Sequence, residues 1–122
     1  MIDHTAVNVS DLEASKQFYN EALRPLGYSL AFEVGDFLGY GEGQMPSFGV
    51  VRRDPAGGGH VAFAAADRAT VDAFHEAATK AGGSDNGPPG VREHYHPTYY
   101  AAFVRDLDGN NIEAVCHKPP QD

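Results

Sequence analysis

The sequence predicts an α+β fold built from two pseudo-symmetric βαβββ halves, and three observations lead there. Residues 4–19 align without a gap on residues 60–75, a constant offset of 56 that is close to half of the 122-residue chain. Four positions are identical in that alignment, His4 with His60, Ala6 with Ala62, Asp11 with Asp67 and Phe18 with Phe74, at a strand start, a helix start and a helix core. In each half a short strand-like run leads into a helical stripe, and several short strands punctuated by Gly, Asp and Pro follow.

In the first half, residues 2–9 are rich in β-branched side chains and read as a strand. Ser10-Asp-Leu-Glu13 then has the capping-box pattern, in which a Ser and a Glu side chain satisfy unpaired amides at a helix start. Leu12, Ser15, Phe18, Tyr19, Ala22 and Leu23 recur at helical spacing until Pro25 and Gly27 end the segment. Residues 28–33, 37–42 and 48–52 read as three strands. The second half repeats the course: a strand over 60–65, then a helix with Val71, Phe74, Ala78 and Ala81 on one face, closed by Gly82-Gly83. Residues 84–97 read as a Gly- and Pro-rich loop hiding the first hairpin strand. Two strands over 99–105 and 111–117 end the half, joined by a tight turn at Asp106-Leu-Asp-Gly-Asn110.

A chain of this length forms one domain that buries about two thirds of its unfolded surface. The halves divide it into modules of about 1–54 and 58–117, followed by a short tail that reads as frayed. No apolar run approaches the ~20 residues of a membrane helix. The net charge of −8 and pI near 5.0 disfavour nucleic acid as a partner, since phosphates demand a basic face. The opening MIDHTAVNVSD has no basic leader with an apolar block, and the lone Cys116 has no internal disulfide partner. A cytoplasmic setting is the expectation.

Strand alternation singles out candidate functional side chains. In Asn111-Ile-Glu-Ala-Val-Cys116, Glu113 shares a face with Asn111 and Val115, while the opposite face is apolar, so Glu113 is expected to line a cavity or meet solvent. His4 and His60 occupy equivalent first-strand positions. Two imidazoles and a carboxylate make a facial triad suited to divalent first-row metals with positions left for substrate, and the same residues also read as an exposed terminus, a strand edge and a solvated carboxylate. In His94-Tyr-His-Pro-Thr-Tyr-Tyr100, His94 and His96 suit a substrate-binding loop, and Tyr99 and Tyr100 point opposite ways, so one of them faces the cleft. Arg92 and Arg105 are candidates for an anionic substrate group or for plain solvation, Cys116 for the core. His117 returns to the face of Glu113 but lies near the tail.

His4-Thr-Ala-Val-Asn-Val-Ser-Asp-Leu-Glu-Ala-Ser-Lys-Gln-Phe-Tyr, His60-Val-Ala-Phe and Asp106-Leu-Asp-Gly-Asn-Asn-Ile-Glu113 together resemble the vicinal oxygen chelate superfamily, which contains glyoxalase I, bleomycin-resistance proteins, fosfomycin-resistance transferases and extradiol dioxygenases. The resemblance spans nearly the whole chain. It implies paired βαβββ modules curled into a curved mixed β-sheet cleft flanked by helices, with a divalent metal ion (Zn, Ni, Mn or Fe) on His4, His60 and Glu113. It further implies a small-molecule substrate bound through vicinal oxygens, a lyase, isomerase or dioxygenase reaction, and a homodimer in which His4 and His60 reach Glu113 from one chain or from two. Glu113, Tyr99 and Tyr100 are then the candidate catalytic groups, and Arg92, His94, His96 and Phe48 the candidate substrate contacts. Glyoxalase I enzymes have a fourth ligand on the last strand of the first module, where this chain has Gly49, so its ligand set looks more like that of the transferases and dioxygenases. The alternative function is a drug-binding protein of the bleomycin-resistance kind, without catalysis.

Overall fold

The computed structural model of the protein describes residues 1–120; residues 121 and 122 of the tail that reads as frayed lie outside them. Strand β1 (Thr5–Val9) begins where its parallel ladder to β4 begins, at Thr5 opposite Phe48, rather than at residue 2. Helix α1 (Leu12–Ala22) buries Ser15, Phe18, Tyr19 and Ala22, the stripe the spacing predicts. Its cap differs from the predicted capping box. The Asp11 carboxylate accepts from the Ala14 amide at 3.0 Å, while the Ser10 hydroxyl donates to Asp108 at 2.6 Å, across the domain. The internal repeat carried this signal, because Asp67, the equivalent of Asp11, caps the second helix by accepting from the amide and hydroxyl of Thr70.

A 3-10 turn (Arg24–Leu26) leads into β2 (Ser29–Val34), β3 (Phe37–Glu42) and β4 (Met45–Arg52), giving a four-stranded sheet in the order β1-β4-β3-β2. The second half repeats the pattern with β5 (His60–Ala64), α2 (Arg68–Lys80), β6 (Ser84–Val91), β7 (Tyr100–Arg105) and β8 (Asn111–Cys116), in the order β5-β8-β7-β6. Strand β6 occupies the segment read as a loop. It holds Pro88 and Pro89 because it is an edge strand, where a missing N–H costs no ladder bond on the open side. Its register against β7 breaks at Gly87 and Gly90, and the Arg92 guanidinium donates to the Pro88 and Gly90 carbonyls at 2.7 and 2.8 Å.

One core joins the two sheets and the two helices, which touch each other. Phe63 of β5 packs edge-to-face on Phe48 and Tyr28 of the first half, with centroids 5.1 and 5.4 Å apart, and Phe48 meets Tyr19 of α1 at 5.4 Å. A buried polar knot adds directional contacts. Asp106 accepts from the Tyr19 hydroxyl at 2.5 Å and from the Asn110 amide and side chain at 2.8 Å each. Asn110, fully buried, donates to the Asn8 carbonyl at 3.0 Å and accepts from the Gly59 amide at 2.8 Å. The turn that places both side chains passes through Gly109 at φ +88°, a backbone state that glycine adopts without Cβ strain. No helix among the described residues is long and apolar enough to cross a membrane.

Candidate metal centre

Parallel pairing of β5 with β8 sets Ala62 opposite Glu113 and His60 opposite Asn111, so the side chains of His60 and Glu113 rise from neighbouring positions on one face. That face turns away from the core-facing Ile112, Ala114 and Cys116 of the same strand. The His60 Nε2 lies 3.1 Å from Glu113 Oε1. Glu113 is 3 % exposed in its side chain and His60 54 %, so the carboxylate sits beneath an imidazole that reaches solvent. The second carboxylate oxygen, Oε2, accepts the hydroxyl of Tyr99. Burial raises the Tyr99 phenol well above its ordinary value, and the hydrogen bond to Glu113 and the carboxylate's charge add to that, so the hydroxyl keeps its proton.

The Tyr99 ring is boxed in by aromatic neighbours. Tyr95 lies at 4.7 Å, and the edges of His96 and His117 at 5.4 and 5.3 Å. His96 Nε2 and His117 Nδ1 are 2.8 Å apart, the Thr98 amide donates to His96 Nδ1 at 3.2 Å, and the Thr98 hydroxyl donates to the His117 carbonyl at 2.6 Å. These bonds tie the loop after β6 to the end of β8. Tyr95 and His117 were not among the expected site residues. Alternation had put His117 on the right face, and Tyr95 had only its place between two histidines as a signal.

The other candidates are distributed differently. His4 precedes β1, is exposed, and bonds Asp3 through Nδ1 at 2.7 Å. Among the described residues no three His, Cys, Asp or Glu side chains converge on a point a metal ion would occupy, so His4 does not join His60 and Glu113 within the chain. A cavity of about 480 Å³ runs between the two halves, lined by Asp3, Thr5, Tyr28, Ser47 and His60. The buried Phe48 ring belongs to the core and also touches this cavity. Of the tyrosine pair, Tyr99 meets Glu113, whereas Tyr100 donates to Asp72 of α2 at 2.6 Å beneath the Arg68 guanidinium. The His94 ring lies 4.2 Å from that of Tyr95, tilted by 44°, in the exposed loop. Arg92 spends two donors on backbone carbonyls and lies over the Phe103 ring, and Arg105 donates to the Gly109 carbonyl at 3.0 Å.

Gly49 pairs with Ala6 as Glu113 pairs with Ala62, so it is the first-half equivalent of Glu113. The Phe37 ring covers it, lying 2.7 Å from where a Cβ would be.

The donor chemistry of the second half suits a divalent ion. His60 offers an imidazole nitrogen and Glu113 a carboxylate oxygen, donor types that such ions accept, and the 3.1 Å between them is the length of a hydrogen bond.

A family model described as the glyoxalase/bleomycin resistance protein/dioxygenase superfamily matches residues 1–114. Among solved structures, a glyoxalase/bleomycin resistance protein from Albidiferax ferrireducens T118 is 35 % identical with a TM-score of 0.84, over 93 % of this chain and 97 % of that one. A lactoylglutathione lyase from Agrobacterium tumefaciens shares the fold at 20 % identity and a TM-score of 0.71, over 95 % of this chain and 92 % of that one. Glyoxalase I from Zea mays does so at 21 % and 0.69, over 98 % of this chain and 45 % of that one. No curated protein matches the chain.

Proposed function

Since the chain belongs to the glyoxalase/bleomycin resistance protein/dioxygenase superfamily, we propose that it is a metal-dependent enzyme acting on a small substrate with vicinal oxygens, its ion held by His60 and Glu113 of one copy and His4 of a second. The observation that carries this reading is the His60 imidazole set 3.1 Å from the buried Glu113 carboxylate. The buried carboxylate carries a desolvation cost that the Tyr99 hydroxyl offsets in part and that a cation would offset further. His4, exposed at the mouth of β1, is free to reach a second copy, which is why the third ligand is assigned across a homodimer.

A bound divalent ion would polarise two adjacent substrate oxygens as a Lewis acid, and Zn, Ni, Mn and Fe all accept this N and O donor set. The chain's own groups would do the rest. In the metal-free protein the 3.1 Å contact is a hydrogen bond that Nε2–H donates to Glu113; with an ion bound, His60 would carry its proton on Nδ1 and present a bare Nε2. Glu113 would hold the ion through Oε1, and that oxygen would accept a substrate proton only when Glu113 leaves the ion. Tyr99, backed by the rings of Tyr95 and His96, covers the Oε2 side of the buried Glu113, and the cavity beside His60 would leave room for the substrate.

Elemental analysis of the purified protein tests the reading. We expect about one divalent ion per chain, lost in His60→Ala, Glu113→Ala and His4→Ala. Mixing His4→Ala with Glu113→Ala chains distinguishes the two assemblies, since a mixed dimer regains one intact site only if the ligands come from different copies. A protein that takes up no divalent ion after reconstitution is instead a small-molecule binder of the bleomycin-resistance kind.

A further inference from the structure

Each oxygen of Glu113 has its own neighbour. Oε1 faces His60, and Oε2 accepts the Tyr99 hydroxyl. The phenol is not a passing contact, because its ring is fixed on three sides by Tyr95, His96 and His117. Its backbone is also tied down: the Tyr99 amide donates to the His96 carbonyl at 3.2 Å, and its carbonyl accepts from the Arg92 amide at 2.7 Å. The Thr98, His96 and His117 bonds anchor the same loop to β8 on the carboxyl side of Glu113. Across the ladder, Phe103 stands directly opposite Glu113 and offers it no polar group. Tyr99 on Oε2 and His60 on Oε1 therefore fix the rotation of the carboxylate about its last bond, and Tyr99 is the one that is not a candidate ligand.

We propose that Tyr99 is a positioning residue, which occupies Oε2 of Glu113 and restricts the carboxylate to one-oxygen binding of a divalent ion through Oε1. The inference rests on the metal reading above and adds to it the binding mode and its determinant. Held this way, Glu113 would offer a divalent ion one oxygen only, which would leave more room for a substrate oxygen than two-oxygen binding. Tyr99 acts by donating its proton to the carboxylate and is not itself a base. Removal of such an outer hydrogen bond characteristically weakens metal binding 10- to 100-fold.

The test is titration of metal-free protein with Co(II), following both affinity and the visible spectrum, for the wild type and for Tyr99→Phe, Glu113→Gln and Tyr100→Phe. Expected are tight binding by the wild type, loss of binding in Glu113→Gln, and about tenfold or greater weakening with a shifted spectrum in Tyr99→Phe. Tyr100→Phe, which loses only its bond to Asp72, should bind as the wild type does, and thermal unfolding verifies that each variant is folded. If the wild type binds and folded Tyr99→Phe matches it in affinity and spectrum, the positioning role is overturned and the metal centre stands. If the wild type itself binds no Co(II), both are overturned.

Discussion

Asp106 and Asn110 show how much rests on single side chains outside the candidate centre. Together they join the turn before β8 to β1, α1 and the start of β5, so removing either strands a buried partner. Asn110→Ala should lower unfolding stability by about 1–3 kcal/mol in urea denaturation, the cost of leaving buried polar groups unpaired. Tyr19→Phe should cost about 1 kcal/mol and should also change the alkaline response. Burial, aided by Asp106, raises the Tyr19 phenol well above its ordinary 10.0, so the folded state holds that proton more tightly than the unfolded chain. Its contribution is complete below about pH 10 and is lost as pH rises beyond it. Tyr19→Phe should therefore flatten part of the stability decline above pH 10. These residues were visible in the sequence only as a polar turn motif. Strand alternation turns Glu113 off the apolar face, as read from the sequence, but it lies buried beneath His60 and Tyr99 rather than against a cavity or solvent. Neither that cover nor the interior of a turn has a period to reveal it. Whether His4 would meet Glu113 was not legible, since it depends on how the halves and copies are arranged.

The two helix starts separate a motif from the interaction it stands for. Ser10 and Glu13 satisfy the capping-box pattern, yet Asp11 caps α1, because Ser10 is held by Asp108. Asp11→Ala should cost about 1 kcal/mol and Glu13→Ala much less, as measured by thermal unfolding. Asp67→Ala should likewise weaken α2, read as a lower unfolding midpoint at neutral pH. Its carboxyl is held below the usual range by the Thr70 hydroxyl and amide, so this contribution is present at neutral pH and lost in acid as the carboxyl protonates. The helices, β3 and β8 were legible from period and flanking residues. Strand β6 was obscured because an edge strand tolerates the glycines and prolines that elsewhere mark a loop.

Seen as a whole, the molecule is two copies of one design with unequal contents. The second half has Glu113, and the first has Gly49 with the Phe37 ring laid over it. Gly49→Ala should therefore destabilise the protein by about 1–3 kcal/mol, since the new methyl meets that ring. Combined with Phe37→Ala, the loss should be smaller than the sum, with a coupling of at least ~0.5 kcal/mol in a double-mutant cycle. The same contact bears on descent. A lineage that regained a carboxylate at position 49 would first have to clear Phe37, and with Phe37 in place the single step yields a weakened protein. Restoring symmetry between the halves thus calls for at least two coordinated changes, at positions 37 and 49, where a single one sufficed to break it.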